Sequence, residues 1–114
     1  MSLVKEFNDN RSRLNEVVNA SSDKVLKRIL SLDSLAFREG ALDLKSKELI
    51  GLTTSLVLRC DDCVYYHLGR CQEVGLSKEQ IIEAMGISNL IGGTIVIPHL
   101  RKAIEFLNEL FGEE

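Results

Sequence analysis

The chain has 114 residues, 45% of them hydrophobic and 27% charged, and its formal net charge is -3. That length suits one domain spanning 1–114, and the balance excludes both a disordered chain and a membrane-embedded one. The acidic surplus also argues against nucleic-acid binding, which needs a basic surface to displace counterions from phosphate.

No membrane partner is expected either. The longest apolar run, 87–98, is interrupted by Ser, Asn, Gly and Thr and is too short to span a bilayer. The N-terminal stretch carries mixed charge in place of an apolar signal core, so the expected location is cytoplasmic. In that reducing compartment the three cysteines rest as thiols, and a close pair points to catalysis or metal binding before a structural staple.

Helical periodicity dominates the chain. Val4, Phe7, Leu14, Val17 and Val18 return to one face of a first segment, and Asn8-Asp9-Asn10 is expected to bend it or delay its start. A second helix, about 22–37, carries a broad stripe from Val25 to Leu35, with Gly40 as its C-terminal stop. Asp43 can cap a third helix that runs to about Leu58, with Leu49, Ile50, Leu52, Leu56 and Val57 on its apolar face. A fourth opens near Asp61 and ends at Gly75, with Leu76 packing back on its last turn.

Ser77 and Gln80 form a capping box for a fifth helix carrying Ile81, Ile82, Ala84 and Met85. From Ile87 to Ile97 the chain is apolar nearly all round, which exceeds what one face of a small bundle buries and predicts a homo-oligomer. Gly92-Gly93 allows a kink or a close neighbour, and Pro98 suits the first turn of a last helix ending near Gly112. The β-branched run 94–97 has no partner segment and is read as helix. The expected fold is all-α, a bundle of about six helices.

The chemistry concentrates in Arg59-Cys60-Asp61-Asp62-Cys63-Val64-Tyr65-Tyr66-His67. Two thiols three positions apart at a helix start can join as a disulfide, and the helix N-terminus favours the thiolate. His67 lies one turn beyond Cys63 on the same face and can hold or pass its proton. Arg59 favours the thiolate, while the Asp61 and Asp62 carboxylates oppose it. Two packed small residues beside a satisfied histidine would give the same pattern.

Zinc is the sharper competitor, since Cys60, Cys63, His67 and Cys71 are all good ligands. Cys63, His67 and Cys71 occupy successive turns, however, and the outer two lie about 12 Å apart along the axis, too far for one ion. A metal would need further ligands, with His99 the one other histidine. Cys71 is expected to pack, His99 to cap or to meet a neighbour, and Glu48, in a first helical turn, to be solvated.

Glu48, the Cys60-x-x-Cys63 pair and His67 together resemble the motif of the carboxymuconolactone decarboxylase family, in its alkylhydroperoxidase-D-like branch. Lys47-Glu48-Leu49-Ile50, Gly75 and the Glu83-Ala84 region fit as well, so the resemblance covers about Leu35 to Phe111. It implies an all-α fold built around a helical hairpin and assembly as a trimer or hexamer. It makes Cys63 the peroxidatic thiol, Cys60 its proton donor and resolving partner, and His67 with Glu48 the proton relay.

The implied activity is that of a peroxidase or thiol–disulfide oxidoreductase acting on small hydroperoxides or disulfides. It needs no bound cofactor, and an external dithiol resets it. Asp62 stands where the best-known peroxidase members have a histidine. The rival readings are a decarboxylase or lactone-processing enzyme using His67 or His99 as acid–base group, and a non-enzymatic oligomeric or metal-binding module.

Overall fold

The computed structural model describes residues 2–113. They form six α-helices and, among the described residues, no strand: α1 (Leu3–Ser21), α2 (Lys24–Ala36), α3 (Leu44–Val57), α4 (Asp61–Glu73), α5 (Lys78–Gly92) and α6 (Ile97–Leu110), with a 3-10 turn at Thr94–Val96. No helix among them is long and apolar enough to cross a membrane.

The helix boundaries follow local chemistry. Asp43 accepts from the Ser46 amide at the start of α3, and the Ser77–Gln80 capping box opens α5 as expected. At the end of α4, Gly75 takes a positive φ and the amides of Gly75 and Leu76 donate to the carbonyls of Gln72 and Cys71. These two bonds satisfy carbonyls that the helix leaves free, and Leu76 is buried.

Two boundaries differ from expectation, and the break allowed for at Gly92-Gly93 is found. α1 runs unbroken through Asn8-Asp9-Asn10, because Asn and Asp cost a helix only tenths of a kcal/mol each and its start is firmly capped. Ser2 accepts from the Lys5 amide, while Glu109 of α6 accepts from the Leu3 and Val4 amides and the Ser2 hydroxyl. α2 ends at Ala36, not at Gly40, whose φ is not positive. In the 92–97 stretch Gly93, at φ 84°, ends α5, and the chain turns before α6 begins. Gly92 is required there, since a Cβ would lie 2.5 Å from Val96 Cγ2.

α3 and α4 form an antiparallel hairpin, with α5 and α6 packed on it. Leu52 and Leu56 of α3, Val64 and Leu68 of α4, Ile81 and Met85 of α5, and Ala103 and Leu107 of α6 are buried between them. α1 reaches this core only through Val4 and Phe7. The Phe7 ring meets those of Tyr65 and Phe106 edge-on, at 5.6 and 5.7 Å between centroids. Neither α1 nor α2 contains a fully buried residue.

Candidate redox site

The α3–α4 turn places the cysteines. The Cys60 amide donates to the Ser55 carbonyl at 3.1 Å and the Arg59 amide to Leu56 at 3.0 Å, so α3 ends in the two-bond arrangement normally completed by glycine. Arg59 takes the glycine position, at φ 62°, the one non-glycine residue with positive φ among those described. Cys60 is thus the last residue tied to α3. It is also the N-cap of α4, where its sulfur accepts from the Cys63 amide at 3.3 Å.

Cys60 and Cys63 are joined as a disulfide across a Cα–Cα distance of 5.3 Å. Cys63 is exposed and Cys60 half-buried. Behind them, His67 Nδ1–H donates to Glu48 Oε1 at 2.9 Å. An ionised carboxylate can only accept, so in the neutral imidazole the proton sits on Nδ1 and the lone pair on Nε2. Glu48, expected to be solvated, is 1% exposed. The correction has a physical cause: burial of a carboxylate is tolerated because two partners reach it from α4, His67 and Arg70, whose Nε lies 3.5 Å from Oε2.

Three residues of this arrangement were not singled out from the sequence. Gly51, one turn after Glu48, is the floor on which the imidazole lies: a Cβ there would fall 2.5 to 2.8 Å from three ring atoms. An isolated glycine inside a helical pattern is the available signal. Arg70, three positions after His67, also pairs with Glu73 at 2.6 Å, and a helical (i, i+3) spacing is too common to mark it. Phe37, just past α2, closes the other side of the histidine with ring centroids 5.4 Å apart.

Cys63 and His67 open onto a cleft of about 650 Å³, together with Asp62 and Tyr66 of α4. Its far walls come from Arg11, Leu14 and Val18 of α1 and Ile29, Leu30 and Asp33 of α2. Arg11 lies over the Tyr66 ring at 4.1 Å. Burial and the Asp33 charge push the Tyr66 hydroxyl above its ordinary range, so it stays protonated at neutral pH.

Cys71 is fully buried, in keeping with a packing role, and burial pushes its thiol up to about 12. His99 neither caps α6 with its side chain nor faces the cleft. Its Nδ1 pairs with Asp61 Oδ1 at 2.8 Å, and Lys102 Nζ donates to Asp61 Oδ2 at 3.2 Å. Among the described residues no group of three or more His, Cys, Asp or Glu side chains is placed to hold a metal ion.

Fold and site together define an all-α protein whose central helical hairpin carries a Cys-x-x-Cys pair at its turn and, one turn further along α4, a cleft-lining imidazole paired with a buried carboxylate. Residues 23–106 match the carboxymuconolactone decarboxylase family, and the chain belongs to that family. A Paracoccus denitrificans relative, uncharacterized protein 4 in the cox locus, is 31% identical over 83 residues, covering 73% of this chain and 75% of the relative.

Two crystal structures from Thermotoga maritima are more similar still. One superposes with a TM-score of 0.91 at 52% identity, covering 95% of both chains. The other gives 0.89 at 51% identity, covering 94% of this chain and 91% of that one. The latter is described as a carboxymuconolactone decarboxylase family protein suspected of involvement in the antioxidative response. A Legionella pneumophila family member, 21% identical with a TM-score of 0.84, shares the fold.

Proposed function

We propose that the protein is a dithiol-dependent peroxidase or disulfide reductase working through Cys60 and Cys63. The observation that carries this reading is the joined cysteine pair, whose Cys63 lines the same cleft as His67, the imidazole being held by Glu48. The antioxidative suspicion attached to the Thermotoga maritima relative agrees with it.

Cys63 is the nucleophile, because it is the exposed member of the pair and lines the cleft. His67 Nε2 takes the thiol proton, and the thiolate attacks one peroxide oxygen, so that an S–O bond forms as the O–O bond breaks. The proton passes to the departing alkoxide, leaving an alcohol and a Cys63 sulfenic acid. The Cys60 sulfur then displaces hydroxide from that sulfenic acid, which leaves as water with the Cys60 proton, and the disulfide forms. An external dithiol reduces it by two exchanges and becomes a disulfide itself. A small disulfide would enter at the first step in place of peroxide. A reducing compartment such as the cytoplasm supplies the reductant.

The active form is read as a homo-oligomer, a trimer or hexamer. Its support is the apolar surface of Ile87, Leu90, Ile91 and Ile95, with Leu90 83% exposed in the single chain. Light scattering is expected to show an assembly at micromolar concentration, and a stable monomer would remove this part of the proposal.

The enzymatic test is direct. Reduced protein treated with peroxide is expected to yield the Cys60–Cys63 link by mass spectrometry and to turn over with a dithiol. Cys63→Ser should reduce turnover to background, and Cys60→Ser should leave a trappable sulfenic acid on Cys63. Undiminished turnover in Cys63→Ser would end the reading.

A further inference from the structure

Of the two acids in the motif that work against a thiolate, Asp61 and Asp62, the fold answers the first from a distant helix. Asp61 lies in the first turn of α4, beside Cys60 and two residues before Cys63. Its two oxygens are taken by His99 at 2.8 Å and Lys102 at 3.2 Å, both from α6. These two side chains stand three residues apart, on one face of the first turns of α6. Burial raises the Asp61 carboxyl, but the hydrogen bonds and charges of His99 and Lys102 outweigh it and hold it below the ordinary carboxylate range.

The other charged groups nearby do not replace this pairing. Asp62 and Tyr65 share α4 with Asp61, Glu105 follows on α6, and the Asp61, Asp62 and Glu105 charges are all felt by Tyr65. Arg59 precedes Cys60 in the turn, and Arg11 of α1 lines the cleft with Asp62. Buried Glu48 is held by His67 and Arg70. Among the described residues, only the side chains of His99 and Lys102 bond the Asp61 carboxylate.

We propose that His99 and Lys102 are positioning residues for the cysteine pair: together they hold Asp61 against α6, and the Lys102 ammonium offsets the negative charge that Asp61 brings beside Cys60, so that the helix N-terminus can favour the thiolate. This deepens the redox reading of the same site and adds two residues to it. It supplies a reason for an Arg-Cys-Asp-Asp-Cys sequence to remain reactive: one of its two acids is neutralised by the fold.

The test reads ionisation of the thiols, without any peroxide turnover, so that failure of the peroxidase reading and failure of this inference are separate results. Wild-type protein and the His99→Gln, Lys102→Met and Asp61→Asn variants are reduced. Alkylation of Cys60 and Cys63 by iodoacetamide is then followed by mass spectrometry across a pH series. Lys102→Met is expected to slow alkylation roughly threefold below the midpoint and to move the midpoint upward, the size expected for one unit charge several ångströms away in a partly hydrated site, and His99→Gln to act in the same direction by less, through the loss of the imidazole's bond to Asp61. Asp61→Asn is expected to change both in the opposite direction.

A tie that merely anchors α4 to α6 is broken from either end, and would shift all three variants the same way. Shifts of one sign throughout, or unchanged profiles in both His99→Gln and Lys102→Met, overturn the inference.

Discussion

The two halves of this chain put similar sequence patterns to different ends. α2 carries the cleaner apolar stripe, yet Val25, Ile29, Leu32 and Leu35 are all more than half exposed. α3 is weakly patterned and buries Leu52 and Leu56 completely. A helix covered on several sides loses its stripe, whereas a helix that rests on one surface keeps it. An apolar stripe therefore reports that something is to be covered, without saying by which surface. In this molecule α3 to α6 cover one another and position the cysteine pair, while α1 and α2 wall the cleft and leave most of their apolar residues outside.

The largest test of this contrast is a pair of leucines. Leu56→Ala is expected to cost about 2–5 kcal/mol in urea unfolding, the usual range for emptying a packed site. Leu32→Ala, at a position 52% exposed, should stay within about 0.5 kcal/mol at low protein concentration. Similar losses at the two positions would erase the distinction between the halves.

A finer test separates two glycines within the packed half. Gly51→Ala places a methyl on the His67 ring, and about tenfold or greater loss of dithiol-dependent turnover is expected as the imidazole is pushed from its seat. Gly69→Ala meets nothing within 4 Å. It should leave turnover intact and raise stability by up to about 1 kcal/mol through helix propensity. Equal turnover in the two variants would mean that the histidine seat is irrelevant to the chemistry.

The smallest effect concerns the join between the halves. Bonds from the Ser2 hydroxyl and the Val4 amide hold the Glu109 carboxyl below its ordinary range. A carboxyl lowered in the folded state contributes stability above its unfolded value, near 4.5, and that contribution disappears as pH falls through the folded value. Hydrogen exchange, corrected for intrinsic rates, should therefore show α1 losing protection as pH falls below 4.5, before α3 and α4 do. Glu109→Gln should bring that loss to neutral pH, and simultaneous loosening of all the helices would remove the hierarchy.

What the sequence disclosed was largely local. The Asp43 cap, the Ser77–Gln80 box and the Gly75–Leu76 ending each depend on residues within one turn, and each stands as read. Gly40 misled because α2 ends four residues earlier, where Phe37 settles beside His67. Glu48 shows the limit most clearly. Its position in a first turn suggests water, and only partners 19 and 22 positions away, His67 and Arg70, make its burial possible. The resemblance to a known motif pointed to Glu48, and helical periodicity could not. Nothing in the text of α6 announced that His99 and Lys102 would meet Asp61.

Cys60 belongs to two helices at once, its amide closing one and its sulfur opening the next. Neither backbone bond requires the sulfur to be oxidised, and a thiolate accepts from an amide at least as readily as a disulfide sulfur does. Electrons can therefore enter and leave at this corner while both helices keep their ends. In the proposed cycle the scaffold would stay still, and the cysteine pair would be the part that changes state.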